Sequence, residues 1–218
     1  MSASMLSVYG DLKSGNCYKV KLLLTLLDKP HQWHPIDILT GESKKPAFLA
    51  INPIGKIPVL QIDEQTFLAE SNAILNYLAT GSSFLPTTPL ARAEVLKWQF
   101  FEQYSHEPNI AVARFNALYL GLSPQKQIGF EARLAAGKKA LQIMDDHLSR
   151  YDYFVGDRLT IADISLYAYT HVADEGGFHL SDYPALCQWM ARLKAVPGFR
   201  DMKAFLDEGI DLKQKTDA

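Results

Sequence analysis

Cysteine is scarce. Cys17 and Cys187 are the only two in 218 residues, too few for a disulfide framework, so a reduced, cytoplasmic chain is expected. Long apolar runs are missing too. None approaches the ~18 residues that a membrane span needs, so no membrane association is expected. The opening Met1-Ser2-Ala3-Ser4-Met5 has no apolar stretch of the secretory kind, and no leader is expected. Positive charge is not in excess: 22 Lys and Arg stand against 24 Asp and Glu, a net charge of −2. That leaves no electrostatic case for nucleic acid as a partner. His31, His34 and His106 lack ligand spacing, and no metal is expected. Internal repeats and low-complexity stretches do not occur. What remains is an ordinary globular composition, 48% hydrophobic and 21% charged. The length suits one large or two small domains.

Taken in order, the chain begins with a short β-prone alternation, Leu6 to Tyr9. Gly10 and Ser14-Gly15-Asn16 break it, and an apolar run of helical length follows from Val20 to Leu27. This predicts a strand, a loop and a helix starting near Asn16 or Cys17, stopped by Lys29-Pro30. A second strand is expected over Gln32 to Ile38, then a polar loop and a short helix at Phe48 to Ile51. Strands over Ile57 to Ile62 and Thr66 to Ala69 flank a turn at Asp63-Glu64, and a helix runs from Ser71 to Thr80. The order β-α-β-α-β-β-α places a parallel crossover and a hairpin in one sheet, which is the thioredoxin-like order.

Residues 81 to 89, rich in Gly, Ser and Pro, form the clearest boundary. Beyond it the signals are helical: Leu90 to Leu120 with a kink at Pro108, Pro124 to about Arg150, and Ile161 to His171. Two shorter helices follow at Pro184 to Leu193 and Phe199 to Leu206. The expected division is an α/β domain at 1–81, a linker at 82–89 and an all-α domain at 90–218.

Two stretches carry the chemistry. Asn52-Pro53-Ile54-Gly55-Lys56-Ile57-Pro58-Val59-Leu60 begins as a turn and ends as a strand. Pro58 has no N–H for a ladder, which leaves the Ile57 backbone available to another partner. Ten residues on, Leu68-Ala69-Glu70-Ser71-Asn72 runs into a helix whose N-terminus suits a carboxylate. Together, Asn52 to Leu60 and Glu70-Ser71-Asn72-Ala73-Ile74 resemble the N-terminal domain of the cytosolic glutathione transferases. The α/β-then-helical layout extends that resemblance over nearly the whole chain. Val155 to Asp163 is similar to the family's capping box, with Thr160 as cap and Asp163 answering it. Asp163 is therefore expected to be structural, at a cost of about 1 kcal/mol or somewhat more if lost.

The resemblance implies a glutathione transferase of the serine-type, bacterial branch, similar to the theta and delta types. Glutathione is then the co-substrate, and the Ile57 backbone beside a cis Pro58 would pair with its cysteinyl backbone. Glu70 would hold the γ-glutamyl ammonium and Ser71 its carboxylate, with Lys44 or Lys56 at the glycyl carboxylate. The family often has arginine after Glu-Ser, where this chain has Asn72. A thiol of this kind has a pKa of about 8.5 or a little above, so the protein must favour its charged form. Tyr9, Ser14 and Cys17 compete for that role. Ser14 is preferred, because it stands where thioredoxin-like proteins place their reactive residue. Asn16 is second, and Cys17 reads as a buried helix residue. With serine first, no dithiol forms here, which disfavours a two-cysteine mechanism.

An acceptor pocket for a small, largely apolar electrophile is expected along the helix after Leu90, with Tyr104, His106 and Arg114. A homodimer is implied by the family alone. Peroxide reduction or dehalogenation would use the same thiolate. A non-catalytic interaction module of the same fold is the rival from another class.

Overall fold

The computed structural model describes residues 5–123, 126 and 128–208. It divides into two compact units, one of Met1–Thr80 together with Val196–Ala218 and one of Gly81–Ala195.

In the first unit, strands β1 (Leu6–Gly10), β2 (His31–Pro35), β3 (Val59–Gln61) and β4 (Phe67–Ala69) form one sheet in the order β2-β1-β3-β4. The β1–β2 pair is parallel, and β1–β3 and β3–β4 are antiparallel. This is the thioredoxin-like arrangement that the element order predicts. Two strands are shorter than expected, and each borders a proline. Pro35 is the last residue of β2, opposite Gly10, and the last bond to β1 is donated by the Ile36 N–H to the Gly10 carbonyl at 3.1 Å. The chain then turns on Asp37, whose Oδ1 accepts from the Leu39 and Thr40 N–H groups. Pro58 stands immediately before β3, which begins at Val59.

The helices are α1 (Gly15–Leu26), α2 (Pro46–Ile51) and α3 (Ser71–Ala79). In α1, Cys17, Tyr18, Val20, Leu22, Leu23 and Leu24 are all fully buried, so the helix is enclosed on more than one face. Period-two alternation divides the sheet residues. Val8 sits opposite Leu60 in the register, and the next pair is Tyr9 with Val59. Tyr9 packs with Ile51, Ile57 and Phe67 against a cluster of Ile36, Phe48 and Val59.

The tail departs from the expected division. Described residues from Val196 onward group with the first unit, not with the helical domain assigned to 90–218. A helix over 202–208 buries Met202 and Phe205. Tyr18 Oη donates to the Arg200 carbonyl at 2.9 Å, and the Tyr18 and Phe205 rings lie 6.1 Å apart.

The second unit is all-helical: α4 (Pro89–Phe101), α5 (Glu107–Leu120), α6 (Phe130–Leu148), α7 (Ile161–Thr170) and α8 (Pro184–Lys194). The expected Leu90 to Leu120 helix is interrupted by a π-helical turn at Glu102–His106, where the Glu107 N–H reaches back to the Glu102 carbonyl. Pro108 explains the position: its ring would collide with the carbonyl four residues back, and a wider turn accommodates it. Pro124, the expected start of the next helix, lies outside the described residues, as do the tail residues 209–218. Gly137 is a necessity of packing. A Cβ there would sit 2.4 Å from the Phe178 ring.

Every residue of α7 is buried. Its N-terminus carries the expected capping box of Thr160 and Asp163, but Asp163 does more than cap. Its Oδ2 accepts from Thr160 N–H and Oγ1, at 2.9 and 3.0 Å. Its Oδ1 accepts from the Phe154 N–H and the Trp189 indole, at 3.1 and 3.0 Å. Burial pushes the Asp163 carboxyl up, and these hydrogen bonds oppose the push. Among the described residues, no helix is long and apolar enough to cross a membrane.

Candidate functional site

The register explains why three distant chain segments meet. Tyr9 pairs with Val59, and Val59 pairs with Ala69. The next residues at that end of the sheet are Gly10, Pro58 and Glu70. Gly10 leads into the loop of Ser14, Pro58 closes the 52–57 loop, and Glu70 opens α3.

Ser14 is the N-cap of α1, half-buried, in extended backbone at φ −78° and ψ 125°. Its carbonyl accepts from the Cys17 and Tyr18 N–H groups, at 3.1 and 2.8 Å. Its hydroxyl makes no cap bond to the helix backbone and is in hydrogen-bond contact with the Cys17 thiol. Cys17 is fully buried, and burial pushes its thiol up to about 12 despite that contact. A thiol so protonated at neutral pH is inert as a nucleophile. A Cβ at Gly10 would stand 2.7 Å from the Cys17 sulfur, so this corner admits only glycine without rearrangement.

Asn16 and Ser71 are brought together: Ser71 Oγ donates to Asn16 Oδ1 at 3.2 Å. That bond ties the N-terminus of α1 to the N-terminus of α3. Ser71 is 6% exposed. Before it, Glu70 is the N-cap of α3 without a side-chain cap bond, at φ +67° and ψ 108°. A non-glycine residue held in such a conformation costs about 1–3 kcal/mol, and such strain collects at functional sites. The α3 N-terminus therefore has a strained acidic residue at its mouth and a buried hydroxyl in its first turn.

The Ile57–Pro58 peptide bond is cis. Ile57 lies two residues before the first paired residue of β3, Val59. The loop leading to it is knotted by Asn52, which is buried. Its Nδ2 donates to the Lys56 carbonyl at 2.7 Å and its Oδ1 accepts from Ile54 N–H at 3.2 Å. Gly55, at φ +65°, closes the turn onto the Asn52 carbonyl at 2.9 Å. The Asn-Pro-x-Gly pattern marks the turn in the sequence, and the Asn52 side chain is what holds that turn closed.

Lys44 reaches this loop as well. Its Nζ donates to the Gly55 carbonyl at 2.7 Å and to that of Ile54 at 3.2 Å. Lys56 is exposed. Tyr9 is directed elsewhere: its hydroxyl donates to Gln61 at 2.9 Å and its ring stacks on His34, centroids 4.6 Å apart.

Tyr104, His106 and Arg114 belong to the helical unit and have unlike surroundings. Tyr104 is 88% exposed. His106 is fully buried, with Nε2 2.9 Å from Thr170 Oγ1. Thr170 donates its own proton to the Leu166 carbonyl at 2.7 Å, so His106 must be the donor in that pair. Arg114 is buried and ion-paired with Glu175 at 2.6 Å. The expected grouping of these three as open pocket residues is not what the geometry presents, because two are engaged in packing within the unit. Among the described residues, no group of three His, Cys, Asp or Glu side chains could hold a metal ion.

The chain matches the family model of the glutathione S-transferase N-terminal domain over residues 14–80, and that of its C-terminal domain over residues 98–197. A solved glutathione S-transferase from Pseudomonas fluorescens is 56% identical, with a TM-score of 0.89 over 91% of this chain and 99% of that one. Glutathione S-transferase 3 of Zea mays is 32% identical, with 89% of this chain and 91% of its own length matched. Another glutathione transferase family member from Pseudomonas fluorescens, solved with two glutathione bound, is 25% identical. Its TM-score is 0.78 over 91% of this chain and 92% of its own.

Proposed function

The chain belongs to the glutathione S-transferase family, and from that premise we propose that it ionises the thiol of glutathione beside Ser14 and transfers it to a small, largely apolar electrophile. The observation that carries this reading is the convergence of Gly10, Pro58 and Glu70 at one end of the sheet, beside two helix N-termini joined by the Asn16–Ser71 bond.

Glutathione is an extended peptide, and the Ile57 backbone offers it strand-like pairing. Ser71 and the N-terminus of α3 receive the γ-glutamyl carboxylate, where hydroxyl and helix dipole both favour an anion. Glu70 receives the ammonium. Lys44 and Lys56 attend the glycyl carboxylate, Lys44 from its position on the Ile54 and Gly55 carbonyls.

This binding leaves the glutathione sulfur near the start of α1. Ser14 Oγ, uncommitted to the helix backbone, donates to the thiolate, and the positive end of α1 adds to the stabilisation. Asn16 is the second candidate for that donation and otherwise holds Ser71 in place. Each pKa unit by which the thiol falls below its usual value represents about 1.4 kcal/mol of preference for the thiolate. The thiolate then attacks the electrophilic carbon. A bond from sulfur forms as the leaving group departs, or as a conjugated double bond takes the electrons.

The acceptor side is assigned to the helical unit. Tyr104 offers it an exposed ring, while His106 and Arg114 are held in the same unit by Thr170 and Glu175. A homodimer is supported by Leu96 and Phe100, which expose apolar side chains four residues apart on α4, 41% and 67% exposed. Two unpaired cysteines suit a cytoplasmic home.

The test is the ultraviolet absorbance of bound glutathione thiolate against pH, for the wild type and Ser14→Ala. The wild type should show thiolate well below pH 8. The variant should still bind glutathione but with its thiol pKa raised by about 1–2 units, the worth of one hydrogen bond to a charged group. An unchanged titration in the variant moves the activating role to Asn16. Failure of the wild type to bind glutathione would favour an interaction module built on this fold.

A further inference from the structure

A lysine on α1, about 10 Å up the helix from Ser14, is paired with a histidine of β2. Lys21 Nζ is 2.8 Å from His31 Nε2. His31 Nδ1 is 2.8 Å from the Lys29 carbonyl. A carbonyl only accepts, so Nδ1 carries the ring proton and Nε2 turns its lone pair on the lysine. A nucleophile, a base within reach of it, and a third group fixing the tautomer of the base make the arrangement that activates nucleophiles.

Burial favours an uncharged amine here, and two ring faces oppose it. Lys21 is half-buried, with Nζ over the rings of Trp33 at 5.6 Å and Phe205 at 5.8 Å, faces that attract a cation. Burial lowers its pKa from the ordinary 10.5, Arg200 lowers it further, and Glu208 opposes them. Burial also holds His31 below its usual value, with Lys21 adding to the effect and the Lys29 carbonyl opposing it. Beside His31 is an open depression of about 320 Å³, lined by Leu24, Thr25, Asp28, Lys29, Pro30 and His31. Its lining mixes apolar Leu24 and Pro30 with polar Thr25, Asp28, Lys29 and His31, which suits a small acyl group with a polar tail.

We propose that Lys21 and His31 form an acyl-acceptor site, in which the Lys21 amine takes the acyl group of a thioester or aryl ester seated against His31. The Lys21 nitrogen attacks the acyl carbon, a C–N bond forms, and the C–S or C–O bond breaks. His31 Nε2 takes the proton that the nitrogen loses and delivers it to the departing thiolate or phenolate. The products are an N-acyl lysine and a free thiol or phenol, with no oxidant or reductant needed. Moving one proton from nitrogen to a leaving group is what a single, fixed base can do.

The full-length protein is incubated with phenyl thioacetate at pH 7.5, and acetylation of each lysine is followed by peptide mass spectrometry. Exposed Lys45, Lys139 and Lys194 are the internal references. Lys21 should acetylate at least about tenfold faster than these, a modest share of what a positioned base supplies. His31→Gln should bring it to within about twofold of them. A Lys21 rate at or below the references in the wild type overturns the proposal without any variant. An unchanged rate in a folded His31→Gln protein overturns the role of His31.

Discussion

The N-terminus of α7 and those of α1 and α3 are the same kind of object finished in opposite ways. At α7, Thr160 and Asp163 close the helix, and Asp163 alone receives four donors. At α1 and α3 the N-caps are Ser14 and Glu70, and neither side chain caps its helix. One residue at the open ends is strained, at φ +67°. On the proposed function, the open ends of α1 and α3 receive glutathione, while the closed end of α7 serves the fold. On that reading the contrast separates the structural carboxylate of Asp163 from the proposed ligand-binding one of Glu70, although both stand in recognisable motifs.

The largest expected effect lies at the closed end. Asp163→Ala leaves the Phe154 and Thr160 N–H groups and the Trp189 indole as buried donors without their acceptor. With about 1–3 kcal/mol for each unsatisfied group and partial relaxation, the loss should be about 3–5 kcal/mol. For a chain of this length that is a fall in Tm of about 10 °C or more, measurable by calorimetry. A loss nearer 1 kcal/mol would mean that Asp163 is a simple cap after all.

Glu70→Gly should break the comparison from the other side. Glycine accepts positive φ, so the variant is expected to be as stable as the wild type or more stable by about 1 kcal/mol. Glutathione binding should weaken about 10- to 100-fold through loss of the ammonium partner. Calorimetric titration with glutathione beside thermal unfolding reads both. Stability and affinity falling together would make Glu70 another structural residue.

Much of this was legible in the chain. Alternation, apolar runs and the Gly and Pro breakers put the strands and helices of the first unit in order, and the two motifs marked Ile57, Pro58, Glu70 and Ser71. What the sequence hid were partners far away along it. Thr170 is 64 residues from His106, and Glu175 is 61 from Arg114. On a polar helix face those two residues read as pocket groups. Asp163 reads as a local cap because Trp189 is 26 residues away. The segment over 202–208 is visibly amphipathic, but amphipathicity states that a face is buried and not against what, so its grouping with the first unit was illegible.

The smallest effect concerns pH and bears on the closed kind of contact within the first unit. His31 is held neutral between the Lys29 carbonyl and Lys21, its pKa below the ordinary 6.5. A group whose folded pKa is depressed takes up its proton first in the unfolded chain. Above pH 6.5 neither state binds it, and His31 adds no pH dependence. As the pH falls from 6.5 toward the depressed folded value, the unfolded state gains protons alone and stability declines. Below that folded value the decline ends. His147 is depressed in the same direction by burial, so the wild type should lose stability through this window from both histidines. His31→Gln should remove only the share that belongs to the first unit. Denaturant unfolding across pH 5 to 8, wild type against variant, measures the difference in slope. Equal slopes would show that His31 keeps its ordinary pKa in the fold, and that the Lys21 hydrogen bond yields to protonation without cost.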